Sequence, residues 1–288
     1  MKTLREVLKE AQEGKYAVPH FNVTDLAGFR AIAAACKETG IPMVIGTSEG
    51  ERSYIGVERA VAIVRSYRAE GIPLFLNADH TSSVEKIEEA ARAGYDAVLF
   101  DGGKLPWEEN LLMTKAAVEI TRAVNPEIVI EAELGYIGSG SSLRDELPEG
   151  AALTPEQMTK PEEAKKFVEE TGIDMLAPAV GTIHGMLKKG YNPNLHIGVI
   201  TEVHAAVPST PLVLHGGSGT PEADLVAAVE AGIGMVHVST ELRKAWRKGL
   251  DETLAADPDL IKPKAAMAKS EEYMKEVAIM RAKMFTRQ

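Results

Sequence analysis

The chain alternates short apolar strands with amphipathic helices eight times, and this alternation constrains its fold more than any other feature. The strand segments, from YAVPHFNV to GMVHVST, are almost continuously apolar until their last residues. Such strands, separated by helices, are typical of a parallel sheet covered by helices. Several helical segments also end on a glycine shortly before the next strand, as at Gly40, Gly94 and Gly172. Eight such units predict an α/β fold of the (β/α)8 TIM-barrel type, with an open doubly wound sheet as the alternative.

The 288 residues are predicted to form one barrel domain, 1–288, with two additional helices. The segment MKTLREVLKEAQEG precedes the first strand as an amphipathic helix, and a second extra helix is expected at about 265–288. A Gly/Ser-rich and then acidic stretch at about 136–160 is too long for an ordinary connection. Because long loops in compact domains are commonly functional, we predict an active-site loop there.

Charge and composition exclude several classes of protein. The formal net charge of −10 argues against a nucleic-acid-binding face. The N-terminal helix carries both charge signs, unlike a signal peptide, and no apolar run reaches membrane length. The single cysteine, Cys36, has no partner for a disulfide. We therefore expect a cytoplasmic protein with neither nucleic acid nor membrane as a partner.

Polar residues recur where the predicted strands end. In TIM barrels these C-terminal strand ends meet at one mouth, where the chemistry takes place. His80, His184 and His215 come from three different strands, and three histidines with an open coordination position are typical of a catalytic metal site. Taken singly, each would more simply be a hydrogen-bonded core histidine. The polar strand ends are Asn22, Ser48, Asp79, His80, Asp101, Glu133, His184, His215, Ser239 and Thr240.

Two glycine- or hydroxyl-rich turns predict a phosphate site beside these histidines. HGGSGTPEADL follows the seventh strand and VSTELRK follows the eighth, and each leads directly into a helix. Free amides at helix N-termini bind phosphate, and barrels commonly use the last two loops for it. No lysine lies within a strand body, which argues against a Schiff-base mechanism and favours metal chemistry.

The motifs NADH, GYDAVLFDGGKLPWEEN, IEAELG, AVGTIHGML, LVLHGGSG and VSTEL together resemble the class II, metal-dependent ketose-bisphosphate aldolases. That family includes fructose- and tagatose-bisphosphate aldolases, and the resemblance runs in order from about residue 16 to residue 242. It implies zinc ligation by His80, His184 and His215, with Glu133 at an alternative or second metal position. It also implies that Asp79 exchanges a proton with the aldehyde oxygen. For substrate and phosphate binding it implies Asn22, Ser48, Gly181, Gly216, Ser218 and Thr240, with a monovalent cation near the phosphate.

One departure from the family concerns the loop after IEAELG. Relatives carry a glutamate there that moves the proton at the nucleophilic carbon, and that position here is Ser141 in GSGSS. A serine cannot replace a carboxylate as general base without its own activator. Asp145, Glu146 and Glu149 follow it, and we predict Glu146 as the base, with a solvated loop charge as the alternative.

Two histidines also depart from the family pattern. His237 stands where relatives usually carry an asparagine that touches the substrate, and His20 replaces a small residue in the first strand. Because the first and last strands are neighbours in a closed barrel, we predict that His20 and His237 lie close together and reshape the donor end of the cleft. By the strand period of two, His237 shares the inward face with Ser239, and we assign both to substrate binding.

The resemblance thus implies a zinc-dependent aldolase, a carbon–carbon lyase of carbohydrate metabolism such as glycolysis. Its expected substrate is a phosphorylated ketose like fructose 1,6-bisphosphate, which yields dihydroxyacetone phosphate and an aldehyde such as glyceraldehyde 3-phosphate. One alternative is a homologue with another ketose-phosphate substrate, and a second is a sugar-phosphate-binding protein that has lost turnover. A second substrate phosphate has Arg243, Lys262 and Lys264 as candidate ligands. The family's habit implies a homo-oligomer, either a dimer or a tetramer.

Overall fold

Eight parallel strands close into a barrel in the computed structural model, which describes residues 2–151 and 153–288. The first strand of the barrel pairs with both the second and the last, so the predicted TIM barrel is confirmed and the open sheet is excluded. The strands are β1 (Val18–Asn22), β2 (Met43–Thr47), β3 (Leu74–Thr81), β4 (Ala97–Phe100), β5 (Val129–Leu134), β6 (Leu143–Arg144), β7 (Met175–Pro178), β8 (Met186–Leu187), β9 (Leu212–Leu214) and β10 (Ile233–Val238). The short strands β6 and β8 pair with each other outside the barrel.

Helices surround the barrel and include both predicted additional helices. No helix of residues 2–151 and 153–288 combines the length and apolarity needed to cross a membrane. The helices are α1 (Leu4–Gly14), α2 (Leu26–Thr39), α3 (Glu49–Ile55), α4 (Val57–Ala69), α5 (Val84–Ala93), α6 (Trp107–Val124), α7 (Pro161–Thr171), α8 (Ile197–Ala206), α9 (Glu222–Ala231), α10 (Thr240–Ala256) and α11 (Pro263–Thr286).

The N-terminal helix α1 closes the bottom of the barrel. Its start is fixed by a capping box in which Thr3 and Glu6 satisfy each other's backbone amides. The apolar face of α1 packs on the lowest layer of barrel side chains, including Val44, Phe75 and Met235. The polar groups of the barrel interior therefore lie above this apolar floor, toward the C-terminal strand ends.

The C-terminal helix α11 packs against the barrel's outer ring. Its buried face, which includes Met274, Ala278 and Phe285, joins the main core together with α2 and α10. Gly249 on α10 permits close approach, since a Cβ there would lie 2.4 Å from the backbone nitrogen of Ser270. The helix begins at Pro263, two residues before the predicted start of the extension.

The segment after β5 forms the predicted long loop and lies over the barrel mouth. Arg144, within β6, donates hydrogen bonds to the carbonyl oxygens of Ser139, Gly140 and His184. These bonds tie the glycine-rich turn of the loop to the segment that carries His184. Asp145 forms an exposed ion pair with Lys188 at 2.7 Å.

Candidate active site

Four predicted metal ligands converge at the mouth of the barrel. His80 lies on β3 and Glu133 on β5, while His184 lies in the loop after β7 and His215 directly follows β9. One potential ligand atom from each residue lies within 4.8 Å of those from the other three. Nε2 of His184 and Oε1 of Glu133 are buried and lack hydrogen-bond partners. Leaving such polar atoms buried without a partner costs free energy, which a bound metal ion would offset. Three imidazoles and one carboxylate are ligands that zinc prefers, so the group fits such an ion.

A second set of contacts orients the three imidazoles. Nδ1 of His184 donates to the Gly138 carbonyl oxygen at 2.9 Å, and Nε2 of His215 donates to Glu131 at 2.7 Å. Nδ1 of His80 lies 3.0 Å from Oδ2 of Asp101. Metal-binding histidines typically use their second nitrogen in this way, because the contact fixes both tautomer and ring direction.

The protonation states of His184 and His215 suit metal binding. Burial, followed by the charge of His80, lowers the pKa of His184 to about 4. Burial likewise holds the pKa of His215 well below its usual value. Burial and the Asp101 charge raise the pKa of Glu133 well above its ordinary range. Neutral imidazoles are the form a metal requires. Burial alone would lower the pKa of His80, but the charges of Asp79 and Glu133 raise it well above its usual value, so a metal must displace a proton from this imidazole. A bound cation would relieve the penalty on the Glu133 carboxylate.

Asp79 lies beside this group as a buried, ionised carboxylate. Its Oδ2 accepts a hydrogen bond from Asn22 at 2.8 Å, and its Oδ1 lies 3.4 Å from Nδ1 of His237. Burial favours the neutral acid, but the imidazoles of His80 and His237 hold the pKa of Asp79 well below its usual value. Asp79 therefore presents a carboxylate that can accept a proton at neutral pH.

A buried arginine shapes the segment that carries Asp79 and His80. His80 has a left-handed backbone with φ of 43°, and the pairing of β3 with β4 shifts register at this point. Arg52 donates to the Asp79 carbonyl at 2.9 Å, to the Thr81 hydroxyl at 2.8 Å and to the Thr47 carbonyl. These bonds bracket His80 on both sides, which explains how consecutive residues can both face the site.

The predicted phosphate residues lie in the turns after β9 and β10. Gly216 has φ of 70°, and a Cβ there would lie 2.3 Å from the Ile183 carbonyl oxygen, so glycine is required. The hydroxyl of Ser218 accepts from the backbone amides of Ser239 and Glu241, which joins the two turns. The Ser239 hydroxyl is buried without a partner at the start of α10. This arrangement leaves a hydroxyl and a helix N-terminus available to an anion.

One cleft collects most of the predicted residues. Glu133 is buried among the metal-site residues without appearing in the cleft wall. Among the residues that the structure describes, those lining the cleft include no lysine or arginine. The predicted residues in the lining are Asn22, Asp79, His80, His184, His215, Gly216, Ser218, His237, Ser239 and Thr240, accompanied by Ser141 and Gly185.

Besides Glu133, the predicted residues Ser48, Gly181 and Glu146 are also absent from this lining. Ser48 donates its hydroxyl to Glu51 at 2.9 Å within the capping box of α3. Gly181 packs beside His196, where a Cβ would lie 2.9 Å from the imidazole. Glu146 is exposed on the loop, so its role as base requires the loop to move and stays a prediction.

Sequence reasoning missed two buried carboxylates. Glu131 on β5 is fully buried against His215, and burial together with the Asp79 charge raises its pKa well above the usual value. A signal existed, because Glu131 precedes Glu133 by two residues and therefore shares its inward face. Glu51 accepts bonds from Asn22 and Arg243, but its sequence context indicates only a helix cap.

The predicted proximity of His20 and His237 is confirmed. The two residues are register partners on β1 and β10, and their rings stack with centroids 3.5 Å apart and an interplanar angle of 2°. His20 is fully buried beneath the cleft, while His237 contributes to its wall.

Comparison with known proteins identifies related enzymes along the whole chain. The family model described as "Fructose-bisphosphate aldolase class-II" matches residues 2–288. The "Fructose-bisphosphate aldolase" of Geobacillus stearothermophilus is 34% identical over 287 residues, which cover 98% of this chain and 96% of that protein. The enzyme of the same name from Staphylococcus epidermidis is 35% identical over 278 residues, covering 95% of this chain and 93% of that protein.

Solved structures give the same relationship. The YdjI aldolase from Escherichia coli K12 superposes with a TM-score of 0.81 at 29% identity, covering 98% of this chain and 96% of that one. A fructose-bisphosphate aldolase from Campylobacter jejuni reaches the same TM-score of 0.81 at 20% identity, with coverage of 98% and 93%. At that lower identity the likeness supports the fold alone.

Proposed function

The chain belongs to the class II fructose-bisphosphate aldolase family, and we propose that it cleaves fructose 1,6-bisphosphate or a close relative. The enzyme is a carbon–carbon lyase, and the proposed products are dihydroxyacetone phosphate and an aldehyde such as glyceraldehyde 3-phosphate. The observation that carries the proposal is the position of ionised Asp79 directly beside three convergent histidines and Glu133. A protein that only binds a sugar phosphate would have little use for a buried carboxylate that is kept ionised beside the metal-site residues.

We assign His80, His184 and His215 as the ligands of a zinc ion, with Glu133 at an alternative or second position. When bound, the ion would supply Lewis-acid polarisation of the substrate's ketone. Asp101 and Glu131 fix the directions of two of the imidazoles from behind.

In the cleavage direction, Asp79 accepts the proton of the C4 hydroxyl while the C3–C4 bond breaks. The C4 oxygen becomes the carbonyl of the departing aldehyde, and the electron pair of the broken bond stays with C3. That carbon then takes a proton, for which we retain Glu146 as the predicted donor after loop movement. The reverse sequence forms the bond, with Glu146 as the base at C3 and Asp79 as the acid at the aldehyde oxygen.

We assign the phosphate of the dihydroxyacetone phosphate half to the turns after β7, β9 and β10. Gly181, Gly216, Ser218, Ser239 and Thr240 would hold it, with a monovalent cation alongside as in the family. The unpartnered Ser239 hydroxyl and the N-terminus of α10 support this assignment.

Steady-state cleavage of fructose 1,6-bisphosphate tests the proposal, with the product followed by a coupled reductase. Chelator-treated protein should be inactive and zinc should restore it, while Asp79→Asn should lower kcat by about 100-fold or more with its zinc content intact. Glu149→Gln, a change on the same loop as Glu146, serves as the matched control for Glu146→Gln. Full turnover by metal-free protein would refute the proposal.

The ion pair between Arg243 and Glu51 favours a second candidate substrate, a ketose that carries a phosphate on C1 only. This arginine, one of the predicted ligands of a second phosphate, pairs with buried Glu51 at 2.7 Å and donates to the carbonyl of Ser141, which lines the cleft. The Glu51 carboxylate neutralises the cation that a second phosphate would need.

Comparing fructose 1-phosphate with fructose 1,6-bisphosphate distinguishes these two substrates. If Arg243 binds the second phosphate, Arg243→Met should raise KM for the bisphosphate alone. If Glu51 keeps Arg243 occupied, kcat/KM should favour the monophosphate, and Glu51→Gln should shift the preference toward the bisphosphate. A homo-oligomer and a cytoplasmic location stay predictions.

A further inference from the structure

Both ring nitrogens of His237 face buried carboxylates instead of open cleft. Nδ1 lies 3.4 Å from Oδ1 of Asp79, and Nε2 lies 3.9 Å from Oε2 of Glu131. All four atoms are buried and none of them forms a hydrogen bond, so these contacts are electrostatic. The predicted substrate contact through this imidazole would therefore compete with the two carboxylates that its nitrogens already face.

The His237 ring is fixed in this orientation by His20. The two rings stack with centroids 3.5 Å apart, and His20 itself accepts a hydrogen bond at Nε2 from Asn77 at 3.1 Å. Space for His20 exists because Gly46 on β2 has no side chain; a Cβ there would lie 2.1 Å from Cε1 of the imidazole. Three neighbouring strands thus hold the stack from the side opposite the metal-site residues.

The parallel rings argue against a metal ion shared by His20, Asp79 and His237. One atom of each residue does lie within 4.8 Å of the other two. At an interplanar angle of 2°, however, the in-plane lone pairs of the two imidazoles run side by side and do not converge on one point. Metal ligands point at their ion, so this geometry is that of a stack.

We propose that His237 is a positioning residue. Its ring lies between Glu131 and Asp79 and holds the Asp79 carboxylate in place, and His20 supports the ring by stacking. The inference rests on the proposed function, since it concerns how Asp79 is aimed at the reacting oxygen. Asn22 donates to one Asp79 oxygen at 2.8 Å, and His237 faces the other. Together they prevent the carboxylate from rotating.

Through Glu131, His237 also connects Asp79 to the metal-site residue His215. Glu131 accepts a hydrogen bond from Nε2 of His215 at 2.7 Å with one oxygen and faces His237 with the other. A displacement of His237 therefore reaches both the proton-transfer group and the support behind His215. Catalytic geometry tolerates little such displacement, and an error of about 1 Å can cost about 100-fold in rate.

A matched pair of phenylalanine variants tests this role. His237→Phe keeps the stack but removes both nitrogens, whereas His20→Phe keeps the stack and leaves His237 intact. We expect His237→Phe to lower kcat for cleavage about 10- to 100-fold with KM within about twofold, and His20→Phe to lower kcat no more than about threefold. His20→Ala, which removes the stack, should fall between them.

Proton exchange at C3 of dihydroxyacetone phosphate in heavy water tests the proposed aldolase function separately from the positioning role of His237. That half-reaction involves no aldehyde oxygen, so His237→Phe should slow it much less than it slows cleavage, as should Asp79→Asn. Wild-type protein that neither exchanges nor cleaves would refute the proposed function. The positioning role is then decided by ¹⁵N NMR, because Asp79→Asn must shift the His237 Nδ1 resonance if the contact exists.

Three results would overturn the inference. A raised KM with unchanged kcat in His237→Phe would make His237 a substrate ligand. Loss of one equivalent of bound metal in His20→Ala or His237→Phe would make the cluster a metal site. An unshifted Nδ1 resonance in Asp79→Asn would remove the contact on which the role depends.

Discussion

Arg52 offers the sharpest test of how the fold positions its metal ligands. The residue is almost completely buried, 4% exposed, and none of its three hydrogen bonds is to a carboxylate. Two of them hold Asp79 and Thr81, the residues on either side of His80. The perturbation is Arg52→Met, which keeps most of the aliphatic volume and removes the donors.

We expect Arg52→Met to disturb the metal site more than the overall stability of the protein. Two carbonyls and a hydroxyl lose their donor at about 1 to 3 kcal/mol each. Against this, the variant no longer buries an arginine charge, which itself costs several kcal/mol. The free energy of unfolding should therefore fall by only about 1 to 3 kcal/mol. His80 keeps its left-handed φ of 43° only while its neighbours are fixed, so its direction should become variable.

Competition with a chelator measures the consequence as zinc affinity, and urea unfolding of the metal-free protein measures stability. Loss of an outer contact to a metal ligand typically weakens metal binding 10- to 100-fold, and we expect Arg52→Met to fall in that range. Arg122→Met is the control, since Arg122 also donates to carbonyls and pairs with Asp174 but lies at the opposite end of the barrel. Arg52→Met with wild-type zinc affinity would refute the reasoning.

Two further predictions concern residues beside the site. Gly46→Ala should cost about 1 to 3 kcal/mol of stability, because its Cβ would meet His20 at 2.1 Å, and His20→Ala in the same chain should restore most of it in urea unfolding. The pKa of His184 is about 4 in the folded protein and about 6.5 unfolded, so the unfolded chain binds more protons between these values. Stability of the metal-free protein should be fully present above pH 6.5 and fall by about 3 kcal/mol toward pH 4, and His184→Gln should flatten this slope.

The barrel was predictable because each unit repeats one local pattern. Apolar strands followed by helices that end on glycine leave few arrangements, and the strand ends then group His80, His184 and His215 without knowledge of any contact. The proximity of His20 and His237 also followed from strand order and the period of two, although their stacking did not.

The remaining site features depend on contacts between segments that are distant in sequence. Arg52 and Glu51 lie in a helix whose sequence indicates an ordinary cap, and their roles arise only when β1, β3 and α10 surround them. Ser48 was expected in the cleft because strand ends face it, but its hydroxyl is taken by Glu51. No local pattern predicts where the side chain of Glu146 lies, since the loop around it has few buried contacts.

The most direct test of the central claim is proton exchange on dihydroxyacetone phosphate in heavy water, followed by NMR in the absence of any aldehyde. The account predicts stereospecific loss of one C3 proton signal with zinc-loaded protein, none with chelator-treated protein, and strong slowing in Glu146→Gln. No exchange by wild-type protein with zinc shown to be bound would contradict the claim that this site carries out an aldolase half-reaction on that substrate.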